Sequence, residues 1–358
     1  MCKKCVTLLF ENDNYMNISA FMIGVATAFF AIFSLHILFW RKDRTRFQMV
    51  MGCIMAVWAV WSAKDLIVTF PGMYTPEVLN WIQIVDGWSA LSYTVFVFEV
   101  VMPGWTTWRR MLLLALPFVA FTLGYVFGGG GTLIRAYSLF LWFYAWAIVI
   151  VGYVRMTRYL DYVRKNFSNI DNIDVSWLRP VFFFAIAGQL AWLFTSLYAS
   201  VLVDILYYVL IIMLWLVVLH YSWNFRPIVV EKDAEVDDAV PVQKNVSPIP
   251  EGALERLVEE QRLYLKKDLT LSELAQALNT NRTYVSNYLS QVRQQTFYDY
   301  INQLRIERES IPMMQEHPEY KLEHVAKESG FASMSTFRRA FTKLTGQMPS
   351  QFAAASSS

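Results

Sequence analysis

Two groups of side chains in this chain have the types and spacing for recognition chemistry. Near the C-terminus, Asn281, Arg282, Thr283, Ser286 and Asn287 are followed further on by Ser333, Ser335, Thr336, Arg338, Arg339 and Lys343. Amides, hydroxyls, guanidinium groups and an ammonium group are the donors that bind phosphate oxygens and base edges. Within the apolar N-terminal part, Lys64, Asp65 and Asp86 stand out, with Gln83 and Tyr93 on much the same helical face as Asp86. A charge within a membrane span costs about 2.5–3.5 kcal/mol on insertion scales, so such groups face the bundle interior and either pair or serve function. An ion pair of Lys64 with Asp86 that locks a hairpin and a ligand-reading site that opens outward are both compatible with these positions. Catalysis has little support, because the chain carries no Gly-rich phosphate loop, nucleophile motif or metal-ligand cluster. No cofactor and no metal are expected. Cys2 and Cys5 form a lone Cys-x-x-Cys without a second pair, and Cys53 reads as packing.

The C-terminal donors lie on elements that repeat. The first unit opens with the capping box Thr270-Leu-Ser-Glu273, continues through Leu274, Ala275 and Leu278 to a turn at Asn279-Thr280, and enters a second helix carrying Val285 and Leu289. The second unit has Leu322, Val325 and Ala326, a turn around Gly330, and a helix carrying Phe337 and Phe341. Leu274 maps onto Val325, Ala275 onto Ala326, Val285 onto Phe337, Leu289 onto Phe341 and Tyr300 onto Phe352, with one extra turn residue in the second copy. The apolar face of each later helix turns its amide, hydroxyl and basic donors outward. Leu254, Leu257, Val258, Gln261 and Leu265 predict a further helix ahead of the repeat, and Tyr298 to about Met314 predict a connecting helix that kinks or ends near Ser310, because Pro312 removes a backbone hydrogen bond.

At these residues the stretch resembles the DNA-binding domain of the AraC/XylS family of bacterial transcription regulators. The resemblance is carried by Asn281-Arg-Thr-Tyr-Val-Ser-Asn-Tyr-Leu289, by Phe297-Tyr-Asp-Tyr-Ile-Asn-Gln-Leu-Arg-Ile306, and by Gly330-Phe331 followed by Phe337-Arg-Arg-Ala-Phe341, Gly346 and Pro349. It covers about the last third of the chain, and the soluble β-barrel that the family usually carries N-terminally has no counterpart here. The resemblance implies two recognition helices entering successive faces of the major groove of double-stranded DNA, about 34 Å apart. The first copy departs from the family at Asn287, where Arg is frequent, and has Gln294 where the second copy has Gly346. Residues 251–354 balance 13 Lys and Arg against 13 Asp and Glu, so bulk charge does not attract DNA. No acid occurs between Glu273 and Asp299 or after Glu328, which is expected to gather positive charge around the recognition helices.

The rest of the chain belongs in a different solvent. All 13 Trp fall at or before Trp223, and seven apolar stretches run over 18–40, 47–69, 78–102, 110–127, 133–154, 177–198 and 203–223. Each approaches the ~20 residues that span a bilayer. Lys and Arg concentrate after the first, third and fifth stretches, at Arg41/Lys42/Arg44/Arg46, Arg109/Arg110 and Arg155/Arg158/Arg164/Lys165. By the positive-inside rule these loops are cytoplasmic, which puts the N-terminus outside and the C-terminal module inside, with its DNA. Lys3 and Lys4 would then be translocated; a start at Met16 instead of Met1 removes both. Trp40, Trp81, Trp105, Trp108, Trp177 and Trp223 suit interfacial anchors.

The expected organisation is therefore all-α: a seven-helix transmembrane bundle over 1–225, a charged Pro-containing linker over 226–250, a cytoplasmic double helix-turn-helix domain over 251–352 and a disordered tail over 353–358. The leading functional reading is a regulator in the bacterial inner membrane that couples a membrane or extracytoplasmic signal to gene expression. Its partners are DNA, the lipid bilayer, an unidentified signal and, as a further candidate, a second copy of the chain. A transporter or channel with a regulatory appendage is the alternative, as is an anchored regulator freed by proteolysis. Transport predicts Gly/Pro-broken spans with midplane charges, a pattern that Pro117 and the glycines do not convincingly make.

Overall fold

The computed structural model describes residues 13–70, 73, 75–128, 130–197, 201–228, 249–250 and 252–356. Cys2, Lys3, Lys4, Cys5, most of the 226–250 linker and the last two serines lie outside the described residues. Within them the chain is all-helical and divides into two compact units, Met1–Thr157 with Val175–Val229 and Arg158–Asp174 with Val230–Ser358. The segment 158–174, which the sequence places in the membrane region, thus groups with the C-terminal domain.

The first unit contains α1 (Asp13–Leu35), α2 (Arg46–Lys64), α3 (Pro76–Gly87), α4 (Ser89–Val101), α5 (Trp108–Val126), α6 (Gly131–Asn166, whose last turns belong to the second unit), α7 (Leu178–Leu197) and α8 (Val201–Ser222). Local chemistry sets their starts: Thr45 and Gln48 close a capping box on α2, and Thr75 caps α3 with Pro76 in the first turn. Among the described residues, 6 helices are long and apolar enough to cross a membrane, and Leu178–Gly188 is a shorter apolar helix. The third stretch breaks between α3 and α4. Tyr137 packs so closely on Gly87 that a Cβ there would meet its hydroxyl at 2.0 Å, and that hydroxyl donates to the Ile84 carbonyl at 3.2 Å. A side chain inserted beside the helical ladder is a sufficient cause for the break. Aromatic rings fill the interior, with Phe30 and Trp58 each 6.0 Å from Trp215. Trp177, expected as an anchor, is instead buried and stacked on Tyr221.

The second unit continues with α9 (Ala253–Glu260), α10 (Leu271–Ala277), α11 (Arg282–Gln291), α12 (Phe297–Leu304), α13 (Ile311–Glu316), α14 (Leu322–Glu328), α15 (Met334–Thr345) and α16 (Pro349–Ser356). It has two cores, one per repeat. Leu254, Val258, Leu274, Val285, Leu289 and Ile301 share the first; Ile306, Val325, Phe331, Phe337 and Phe341 share the second.

The connecting helix does not end near Ser310: a π-helical turn over Arg305–Ser310 joins α12 to α13 and places Pro312 in the first turn of the latter, where its missing N–H matters least. The tail is not disordered from Ala353, since α16 runs to Ser356. The Ala-rich run favours helix, Phe352 and Ala353 pack on the second core, and α16 occupies the repeat position of α12.

Candidate nucleic-acid interface

Each later helix of the repeat is positioned by its buried stripe and its cap. Val285, Leu289, Phe337 and Phe341 are fully buried, as the spacing requires. The two turns are equivalent. The Thr280 amide donates to the Ala275 carbonyl at 2.9 Å and the Phe331 amide to the Ala326 carbonyl at 2.9 Å, with Asn279 (φ 52°) and Gly330 (φ 84°) both left-handed. At Gly330 only glycine fits, because a Cβ would meet the Leu265 carbonyl oxygen at 2.8 Å. The helices end differently, α11 at Gln291 and α15 at Thr345, yet Gln294 (φ 53°) holds the conformation that Gly346 (φ 74°) holds in the second copy.

The donors do not all remain available. Asn281 and Ser333 are N-caps, accepting from the amides of Tyr284 at 3.0 Å and Thr336 at 3.2 Å, so their side-chain oxygens serve the helix ends. Arg282, Thr283, Ser286 and Asn287 are half-buried, whereas Ser335, Arg338, Arg339 and Lys343 are exposed. Thr336 corrects the expectation of an outward face: it is 2% exposed, and its hydroxyl donates to Asp171. Arg339 pairs with Asp174 at 3.3 Å and Lys343 with Asp299 at 2.7 Å. The second helix therefore carries the basic cluster, but acids from elsewhere in the chain answer it. In the first unit Arg293 forms two hydrogen bonds to Glu255, at 2.9 and 2.5 Å, and Tyr288 adds a third at 3.0 Å.

Two helix-turn-helix units on one connecting helix match a known family: residues 274–355 fit the family described as Helix-turn-helix domain. This stretch is an AraC-type helix-turn-helix domain. An uncharacterized HTH-type transcriptional regulator of Staphylococcus aureus (strain COL) is 24% identical over 108 residues, 30% of this chain. The chain spans 14% of the length of that relative. No solved structure matches.

The AraC-type domain is held together by a residue that periodicity could not single out. Arg305, 1% exposed, sits where the π turn begins and donates to the carbonyls of Tyr264 (2.6 Å), Lys266 (2.7 Å) and Lys267 (3.2 Å) and to Asn302 (3.0 Å). It also donates to the Ser168 carbonyl (3.4 Å) and hydroxyl (3.3 Å), and its guanidinium lies 5.6 Å from the Phe331 ring centroid. Burial pushes its pKa down to about 10, so it stays charged at neutral pH, and these bonds offset the cost of taking it out of water. Asp171 and Asp174 lie in a loop that its Arg and Lys residues mark as basic, and no helical periodicity points to them. The signal that could have found them is two acids three residues apart in an Asn/Ser-rich turn.

In the first unit of the fold, the structure brings the other candidate group together. Lys64 Nζ lies 2.6 Å from Asp86 and also pairs with Asp65, which accepts from the Tyr208 hydroxyl of α8 at 2.6 Å. One ammonium group is thus shared by two carboxylates. Lys64 also borders an open apolar groove of ≈ 570 Å³, together with Ile67, Phe70, Trp81 and Val85.

Proposed function

We propose that the protein is a DNA-binding transcription regulator held in a membrane by its N-terminal apolar helices. One observation carries the reading: two helix-turn-helix units with separate cores are joined by one connecting helix, and polar and basic side chains lie on the later helix of each. DNA contacts are assigned to Arg282, Thr283, Ser286 and Asn287 of α11 and to Ser335, Thr336, Arg338, Arg339 and Lys343 of α15, with Asn281 and Ser333 presenting the helix starts. Thr336 and Arg339 reach DNA only once their aspartate partners are released. The test is DNA binding by the full chain in lipid nanodiscs across a salt series. For roughly 4–8 neutralised phosphates, log K falls with log salt by about 0.9 per contact. Binding that ignores salt overturns the assignment.

For the membrane part the proposal is seven spans with the N-terminus outside, on the strength of the Lys/Arg asymmetry. Reporters fused after Phe70, Gly130 or Val201 then read outside, and those after Arg46, Arg110, Lys165 or Lys232 read inside; an even number of spans overturns this topology. The signal is proposed to enter at Lys64, Asp65 and Asp86, where one cation answers two acids and an open apolar groove adjoins. Asp86→Asn leaves abundance in the membrane unchanged but fixes transcription in one state. A variant that stays fully inducible, or is lost by degradation, removes the sensing role.

A further inference from the structure

The segment between α6 and α7 meets the AraC-type domain in two ways. Its first residues are an anchor. Phe167 bridges Thr270 in antiparallel fashion, the Ser168 amide donates to the Leu269 carbonyl at 3.1 Å, and Asn169 donates to Asp268 at 2.8 Å. Arg305 grips Ser168, which is completely buried. Backbone pairing and a buried guanidinium make this contact part of the domain's own architecture.

The next turn is built differently. Asp171 accepts from the Thr336 hydroxyl, and Asp174 receives Arg339. Two carboxylates three residues apart thereby meet two recognition-helix side chains three residues apart, neighbours on one helical face. Anionic acceptors beside the first turn of a helix, engaging a hydroxyl and a guanidinium, reproduce what a DNA backbone offers at that place. The fit is incomplete: Asp171 Oδ2 is buried with no hydrogen-bond partner among the described residues, and Arg339 stays 53% exposed. An unsatisfied buried carboxylate oxygen is a cost that leaving the helix would relieve.

We propose that Asp171 and Asp174 are an autoinhibitory latch: they occupy the second recognition helix in place of DNA phosphates, and DNA binds when they lift while the Phe167–Asn169 anchor remains. The proposal rests on the reading of α15 as a DNA-contacting helix. On the side away from the anchor the latch runs straight into α7, so displacement of the start of that helix reaches it directly, without a phosphorelay or a second protein.

The experiment uses the full chain in nanodiscs with a mixed-sequence duplex as probe, comparing wild type with D171N/D174N by fluorescence anisotropy over a salt series. The variant binds about 10-fold or more tightly at low salt, and its salt slope is steeper by about one, because Arg339 no longer leaves an internal partner. In wild type, hydrogen exchange at residues 170–174 rises on adding duplex while 167–169 stays protected. Arg338→Ala in the D171N/D174N background keeps the two readings apart. If that substitution weakens binding but wild type and D171N/D174N bind equally, the latch is wrong and α15 still contacts DNA. If it leaves binding unchanged, the assignment of α15 fails and the latch with it. Should D171N/D174N misfold, exchange in wild type decides, and unchanged protection at 170–174 in the presence of duplex overturns the latch.

Discussion

The two helix-turn-helix units are built on one backbone plan yet differ in nearly everything that faces outward. Both turns close with the same amide-to-carbonyl bond, both later helices begin at a side-chain cap, and each of the two is followed by a left-handed residue. The first later helix carries Arg282 among amides and hydroxyls and has Gln294 three residues beyond its end; the second carries Arg338, Arg339 and Lys343 and is capped by Gly346. Acids then meet the richer cluster, with Asp174 on Arg339 and Asp299 on Lys343. A repeat conserves what packs and varies what binds, so the units can share a fold while dividing affinity and control between them.

The comparison breaks most completely at the residue both units depend on. Arg305→Ala leaves the Tyr264 and Lys266 carbonyls without their donor, and each buried acceptor left unpaired costs about 1–3 kcal/mol. Chemical denaturation followed by hydrogen exchange within 252–356 should show both cores weakened, and loss confined to one core contradicts the clasp. Next in size is DNA affinity. Arg338→Ala is expected to cost about 1–3 kcal/mol if it reads a base, or to flatten the salt slope by about one if it holds a phosphate, with Asn287→Ala costing less. Equal losses would show that the units contribute alike. Both effects are read from the same salt series.

Exchanging the residues after the later helices sharpens the backbone comparison. A left-handed residue with a side chain costs about 1–2 kcal/mol, partly offset by the entropy glycine loses on folding. Gln294→Gly should therefore raise stability by about 0.5 kcal/mol, and Gly346→Gln should lower it by about 1 kcal/mol, both read from denaturation midpoints. The smallest effect is acid sensitivity of the first unit. Burial alone would push the Glu255 carboxyl up, but the hydrogen bonds from Arg293 and Tyr288 hold it below the usual carboxylate range. Since the folded state binds this proton less readily than the unfolded state, the contribution is full above the ordinary carboxylate pKa and is lost as pH falls through the depressed folded value. Glu255→Gln should flatten that acid limb by under about 1 kcal/mol, the ceiling for a partly exposed pair, and an unchanged limb would exclude the pair as its source.

Local spacing made the helical elements of the repeat legible. The capping box at Thr270 and Glu273, the stripes through Val285 and Phe337 and the turn at Gly330 are each written within a few residues of themselves, and each folds as read. Even α16 was implicit in the map of Tyr300 onto Phe352, though composition argued for a disordered tail. Long apolar runs likewise mark helices of membrane-crossing length, because hydropathy needs no knowledge of a partner. What the chain does not spell out locally is which distant groups meet. Asp171 and Thr336 are 165 residues apart, and Ser168 lies 137 residues from Arg305. No periodicity links such positions. Only the tertiary structure decided that Thr336 turns under a loop, that Arg305 closes the domain on Ser168, and that the acids missing from the recognition helices arrive from elsewhere, because side-chain exposure and charge pairing depend on what packs across the fold rather than on what lies alongside in sequence.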